Sequence, residues 1–152
     1  MTGSGLLSFE IRRLAPEDEA AWRPLWDGYL RFYGQELPEG VTPATFQRLC
    51  RGSHGMVGLV AVDRGDEPIG LAHLVFHAST WATTNYCYLE DLYVAEAWRG
   101  AGVGRALIEA AYRVADQRRS ARVYWTTQEF NAPARSLYER IGHRTSFIRY
   151  ER

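Results

Sequence analysis

The stretch DLYVAEAWRGAGVGRALIEAAYRVA, residues 91–115, decides the fold. An apolar run ends near Val94, a short loop crosses Trp98, and Arg99-Gly100-Ala101-Gly102-Val103-Gly104-Arg105 leads into a helix. That helix places Val103, Leu107, Ala111 and Val114 on one face, flanked by Ile108 and Ala115. A helix N-terminus presents unpaired N–H groups and the positive end of the dipole. Glycines let an anion approach such a backbone closely. Arg99 and Arg105 add charge-assisted donors for phosphate oxygens. A Walker loop needs Lys-Ser or Lys-Thr after its last glycine, where this chain has Arg105-Ala106. A Rossmann turn needs GxGxxG in a first βαβ unit, with an acid ending the next strand. Here the spacing is GxGxG, late in the chain, and the next strand reads Val-Tyr-Trp-Thr. Two readings stay open at this level: an Arg-x-x-Gly-x-Gly phosphate turn on Arg99, Gly102 and Gly104, or a glycine-rich turn that binds nothing.

Working outward, Phe9 and Ile11 alternate with Glu10 and Arg12, which predicts a short strand. Pro16, with Glu17, Asp18 and Glu19 behind it, suits a helix start. Trp22, Leu25, Trp26, Tyr29, Leu30 and Tyr33 then recur at steps of three and four. Such a stripe usually builds a core, and Phe32 and Tyr33 at the helix end are its expected exceptions. Gly34 to Gly40 is a loop, and Thr42-Pro43 predicts an N-cap and first-turn proline for a helix ending near Gly52. Met56–Val62 and Ile69–Phe76, joined by Asp63-Arg64-Gly65-Asp66, read as a hairpin. Tyr86–Val94 is a third strand run and Val123–Thr126 another. Asn131-Ala132-Pro133 opens a helix holding Ala134, Leu137, Tyr138 and Ile141, with Gly142 as its cap. Phe147–Tyr150 is predicted as a last strand. The order β-α-α-β-β-β-α-β-α-β is an α+β fold with a mixed, largely antiparallel sheet. No linker divides residues 1–152, so one domain is expected, with Met1–Leu6 as a flexible lead-in.

Lys plus Arg equals Asp plus Glu, 18 against 18, which removes a global electrostatic reason to bind nucleic acid or an anionic membrane. No apolar run reaches the length of a membrane span and no signal-peptide pattern is seen. A cytoplasmic location is expected, with Cys50 and Cys87 as reduced thiols. His54, His73, His77 and His143 have no metal-ligand spacing, so no metal is expected.

The Arg99–Gly102–Gly104 motif between a strand and a helix resembles the coenzyme A signature of the GNAT acetyltransferases. YLEDLYV (88–94), RGAGVGRALI (99–108) and VYWTTQEFNAPARSLYERIG (123–142) are similar to the branch that acetylates polyamines and histone tails. The resemblance implies a sheet splayed between its fourth and fifth strands. In the gap, the backbone of Leu92 and Val94 would pair with the pantetheine arm of acetyl-CoA as a pseudo-strand. Arg99, Gly100, Gly102, Val103, Gly104 and Arg105 would cradle the pyrophosphate. Asn131 would lie by the pantetheine, beside its capping role. Tyr138 would be the general acid for the departing thiolate, rather than only a core aromatic.

An alkylammonium has a pKa of about 10.4, so its deprotonation near neutral pH needs help. Strict alternation puts Tyr88, Glu90 and Leu92 on one strand face and Leu89, Asp91 and Tyr93 on the other. Glu90 and Asp91 therefore diverge, and Glu90 holds the position commonly acidic in the family, which makes it the expected base. Tyr33, Phe32, Glu90 and Glu129 are the expected acceptor-site residues. The implied reaction is direct acetyl transfer to a primary amine: a small amine, a polyamine or a lysine side chain. No covalent enzyme intermediate is needed, and a homodimer is the family-level expectation. The alternative is a non-catalytic acyl-CoA sensor.

Overall fold

A computed structural model describes residues 8–152, and the lead-in Met1–Leu6 lies outside them. The alternating runs pair into one sheet in chain order: β1 (Glu10–Arg13), β2 (Met56–Val62), β3 (Pro68–Ala78), β4 (Asn85–Val94) and β5 (Arg122–Tyr124). The first four are antiparallel. β5 joins β4 in parallel, because the crossover helix α3 (Val103–Gln117) returns the chain in the same direction. α1 (Glu19–Phe32) and α2 (Val41–Arg51) pack on one face of the sheet and α3 on the other. α4 (Ala132–Ile141) follows β5, with Leu137, Tyr138 and Ile141 against the α3-side core.

Alternation sorts the two cores. Val57, Leu59 and Ala61 face Leu107, Ile108 and Ala111, whereas Val60 and Val62 face Trp22, Phe46 and Leu49. Leu107 is fully buried between α3 and the sheet. Leu107→Ala is expected to lower stability by about 2–5 kcal/mol, the range for an unfilled leucine cavity. Urea unfolding checks this, and a loss below about 1 kcal/mol would mean that the site collapses around the gap.

Several local expectations are corrected by packing. Phe147–Tyr150 forms no strand, and Phe147, Ile148 and Tyr150 are exposed. Alternation alone does not make a strand, which also needs a free ladder edge within reach. Pro16 opens a 3-10 turn, and α1 begins only at Glu19. α2 is capped by Gly40 rather than Thr42, whose hydroxyl accepts a hydrogen bond from Trp26 Nε1 at 3.1 Å. Asn131 occupies the N-cap position of α4 without a side-chain cap, its amide reaching Thr127 Oγ1 instead. Gly142 ends α4 in an extended conformation, and a Cβ there would lie 3.0 Å from the Trp125 ring. Close approach, not a left-handed cap, is what that glycine provides.

Candidate active site

β4 and β5 share only three ladder positions, Tyr86 with Arg122, Cys87 with Val123 and Tyr88 with Tyr124. Beyond Tyr88 the strands part, and β4 runs on to Val94 paired only with β3. The gap between fourth and fifth strands is therefore present. Leu92 lies on its wall, with Trp125 and Thr126 opposite, beyond the end of β5. A free strand edge of this kind fits an extended ligand carrying amides.

At the parting, β4 carries a bulge. Leu89 pairs with Leu74 and Asp91 with His73, leaving Glu90 as the extra residue. The bulge reverses the side-chain parity. Leu89 packs in the α3-side core with Leu92 and Val94, while Tyr93 packs on the α1 side, where Asp91 also lies bonded to His73. This corrects the strict alternation, which put Leu89 with Asp91 and Tyr93. One inserted residue shifts a period-two pattern by one step.

The bulge brings together a cleft lined by Tyr29 and Tyr33 of α1, Leu89, Glu90 and Leu92 of β4, Trp125, Thr126 and Tyr138. Tyr29 donates a long hydrogen bond, 3.4 Å, to the Glu90 carbonyl. Burial, and then the Asp91 charge, raise the pKa of both Tyr29 and Tyr33. The same two causes raise the Glu90 carboxyl above the usual carboxylate range. Burial, with Tyr33 adding, pushes the Tyr138 hydroxyl up to about 12. The Tyr138 ring stands edge-on to Trp125 with centroids 5.5 Å apart.

Not every expected residue reaches the cleft. Phe32 is 58% exposed and packs edge-on against Tyr33 from outside. The Glu129 side chain is also exposed and pairs with Arg144 at 3.5 Å. Sequence reasoning assigned Tyr29 to the core and gave Trp125 and Thr126 no site role. The glycine motif lies upstream of Trp125 and Thr126 and pointed to the other end of the gap, and only the splay makes them walls.

At the other end of the gap, Gly100 and Gly102 turn the chain into α3 with φ of 81° and 85°. The first bond of the α3 ladder is Ala106 N–H to the Gly102 carbonyl. The N–H groups of Val103, Gly104 and Arg105 precede it and lack acceptors within the helix. Val103 offers only its backbone, since its side chain is sealed in the core. Arg99 donates from Nε to the Val94 carbonyl at 3.1 Å and lies over the Tyr93 ring. Arg105 pairs with Glu109 one turn later. Both guanidinium groups stay near the turn. A wider depression by β1 is lined by Arg12, Asp18 and Asp66, and Arg12 bonds both carboxylates.

The fold and this split site define a class. A solved structure described as a probable acetyltransferase aligns with a TM-score of 0.81 at 29% identity, covering 93% of this chain and 95% of that one. The aminoglycoside N-acetyltransferase AAC(6')-Iy, in complex with CoA, aligns with a TM-score of 0.82 over 100% of this chain and 98% of that one. Its 18% identity speaks to the fold alone. The model of the acetyltransferase (GNAT) family matches residues 22–143. The chain belongs to that family and is an acetyl-CoA-dependent N-acetyltransferase. It is 36% identical over 143 residues to the D-amino-acid N-acetyltransferase HPA3 of Saccharomyces cerevisiae, covering 93% of this chain and 89% of that protein. It is 34% identical over 142 residues to the uncharacterized N-acetyltransferase YhfO of Bacillus subtilis, covering 92% and 94%. A shorter match, 28% over 90 residues, joins it to a thialysine N-epsilon-acetyltransferase of Caenorhabditis elegans, covering 59% of this chain and 53% of that protein.

Proposed function

We propose that the chain acetylates a small primary amine, with Glu90 as base and Tyr138 as the hydrogen-bond donor to the leaving sulfur. The observation that carries this is the cleft at the β4 bulge, which brings Glu90 and Tyr138 to one end of the splayed gap. Bound acetyl-CoA supplies the activated acyl group. The β4 edge at Leu92 and Val94, where the Val94 carbonyl already accepts from Arg99 Nε, would hold its amide arm, and Asn131 would flank that arm. The N–H groups of Val103, Gly104 and Arg105 hold its pyrophosphate, with Gly100 and Gly102 shaping the turn. Arg99 and Arg105 add positive charge beside them.

Glu90 takes the ammonium proton, directly or through a water, and its raised pKa makes it a stronger base than an ordinary carboxylate. The Tyr138 hydroxyl keeps its proton at neutral pH, because its pKa is near 12. A thiol titrates at about 8.5, so outright proton transfer from such a phenol to a thiolate is uphill. Its contribution is a hydrogen bond that strengthens as charge grows on sulfur: the free amine bonds to the acyl carbon, the carbon–sulfur bond breaks, and the second amine proton passes to solvent as the thiolate departs. Tyr29 and Tyr33 wall the acceptor, and aromatic faces suit a cation.

Offering thialysine, spermidine, a lysine peptide and a D-amino acid with acetyl-CoA, and reading acetylated mass and free thiol, tests the function. Turnover of at least one amine is expected. Tight cofactor binding with no turnover of any amine would favour the sensor reading. Glu90→Gln is expected to lower kcat/KM by about 10²-fold, within the usual range for a positioned base. The sign of the pH effect follows from the raised carboxyl. Wild-type kcat/KM falls as pH drops through the Glu90 pKa, and that acid limb is lost in Glu90→Gln. A limb that persists in the variant removes Glu90 from the base role.

A further inference from the structure

Behind the cleft, three side chains from three elements form a buried hydrogen-bonded chain. Trp22 Nε1 of α1 donates to His73 Nε2 of β3 at 3.1 Å. His73 Nδ1 lies 2.8 Å from Asp91 Oδ2 of β4. An indole N–H only donates, so His73 Nε2 must accept and the ring hydrogen sits on Nδ1, donated to Asp91. Exposure is 0% for Trp22, 2% for His73 and 7% for Asp91. A buried polar chain is not needed for stability, since well-packed apolar residues often serve as well. Its position suggests another use. The His73–Asp91 pair is the ladder position next to the bulge, so tying Asp91 to His73 leaves Glu90 as the residue left over at the cleft. The groups facing this pair of carboxylates are Tyr29 and Tyr33 from α1, His73 from β3, Tyr124 from β5 and Tyr138 from α4. No arginine lines the cleft among the described residues.

We propose that Trp22 and His73 are positioning residues of the acceptor site, fixing Asp91 as a second anion that draws the acceptor ammonium to Glu90. This rests on Glu90 being the base. Two carboxylates on consecutive residues, without an arginine beside them, favour a cationic occupant over a neutral or anionic one. Asp91 acts through its field and through the bulge, while Glu90 handles the proton. His73 holds the carboxylate still, and Trp22 fixes which ring nitrogen carries the hydrogen.

The acceptor for the test is the fastest amine of the panel above. Asp91→Asn keeps an acceptor oxygen for His73 and removes the charge. KM for the amine is expected to rise about tenfold, and the acid limb of kcat/KM to move down by about one pH unit, because a like charge no longer opposes ionisation of Glu90. His73→Leu should raise KM similarly, and His73→Gln, which keeps a donor and an acceptor, should restore it. Calorimetric affinity for coenzyme A should stay unchanged in all three. A nitrogen-15 correlation of the His73 ring at pH 7 should place its hydrogen on Nδ1. The proposal is overturned if Asp91→Asn leaves both KM and the acid limb as in wild type. It is overturned equally if His73→Leu lowers Tm alone, or if the ring hydrogen is found on Nε2. Persistence of the limb in Glu90→Gln is a separate result, which would remove the base assignment while the KM comparison still decides the role of Asp91.

Discussion

Gly102→Val is expected to weaken coenzyme A binding by at least about a hundredfold, measured by calorimetry on folded protein. Gly102 is the N-cap of α3 and sits at φ 85°, ψ 9°. No heavy atom lies within 4 Å of where its Cβ would be, so the substitution does not clash within the chain. The effect comes from elsewhere. A β-branched residue at positive φ costs about 1–3 kcal/mol, and the turn relieves that strain by rotating away. Rotation re-aims the N–H groups of Val103, Gly104 and Arg105, and the added isopropyl group crowds the turn proposed to hold the phosphate oxygens. Gly104 provides the contrast, since its φ is not in the left-handed region and a Cβ meets only ordinary contacts at 3.9 Å. Gly104→Ala should therefore weaken binding far less. Normal affinity in Gly102→Val would remove the turn from the pyrophosphate site.

Tyr138→Phe should lower kcat by about 10²–10³-fold with coenzyme A affinity nearly unchanged. The substitution deletes one hydroxyl and keeps the ring against Trp125, so packing survives. What disappears is the donor proposed for the leaving sulfur. Because that donor has a pKa of about 12, its value lies in a hydrogen bond made in the transition state, which appears in kcat rather than in binding. Unaltered kcat in an assay limited by chemistry would take Tyr138 out of this role. Together the two variants are expected to separate the ends of the proposed site: one weakens capture and the other slows the reaction.

Much of this arrangement was legible in the residues. The glycine turn at the strand–helix junction, Pro133 opening α4 and Tyr138 four residues before Gly142 are local features, and local features show in sequence. The family resemblance of residues 88–94, 99–108 and 123–142 then supplied the splay. The acceptor side was less legible. Phe32 and Glu129 were expected there and face solvent instead, because neighbouring residues on a helix end or loop point in directions that only packing sets.

By itself, the sequence determined the order of elements from the first strand to the helix opened by Pro133, and it located the glycine turn that opens α3, since periodicity and turn chemistry are properties of a few consecutive residues. The tertiary structure alone decided that Leu92 and Val94 share a face with Leu89 while Asp91 and Tyr93 turn to the α1 side. A bulge is a mismatch between two strands, β3 and β4 here, and neither strand's own pattern contains it. The Trp22–His73–Asp91 chain has the same origin. Its members lie 51 and 18 residues apart, and only the folding of α1 over the sheet brings their polar atoms within bonding distance.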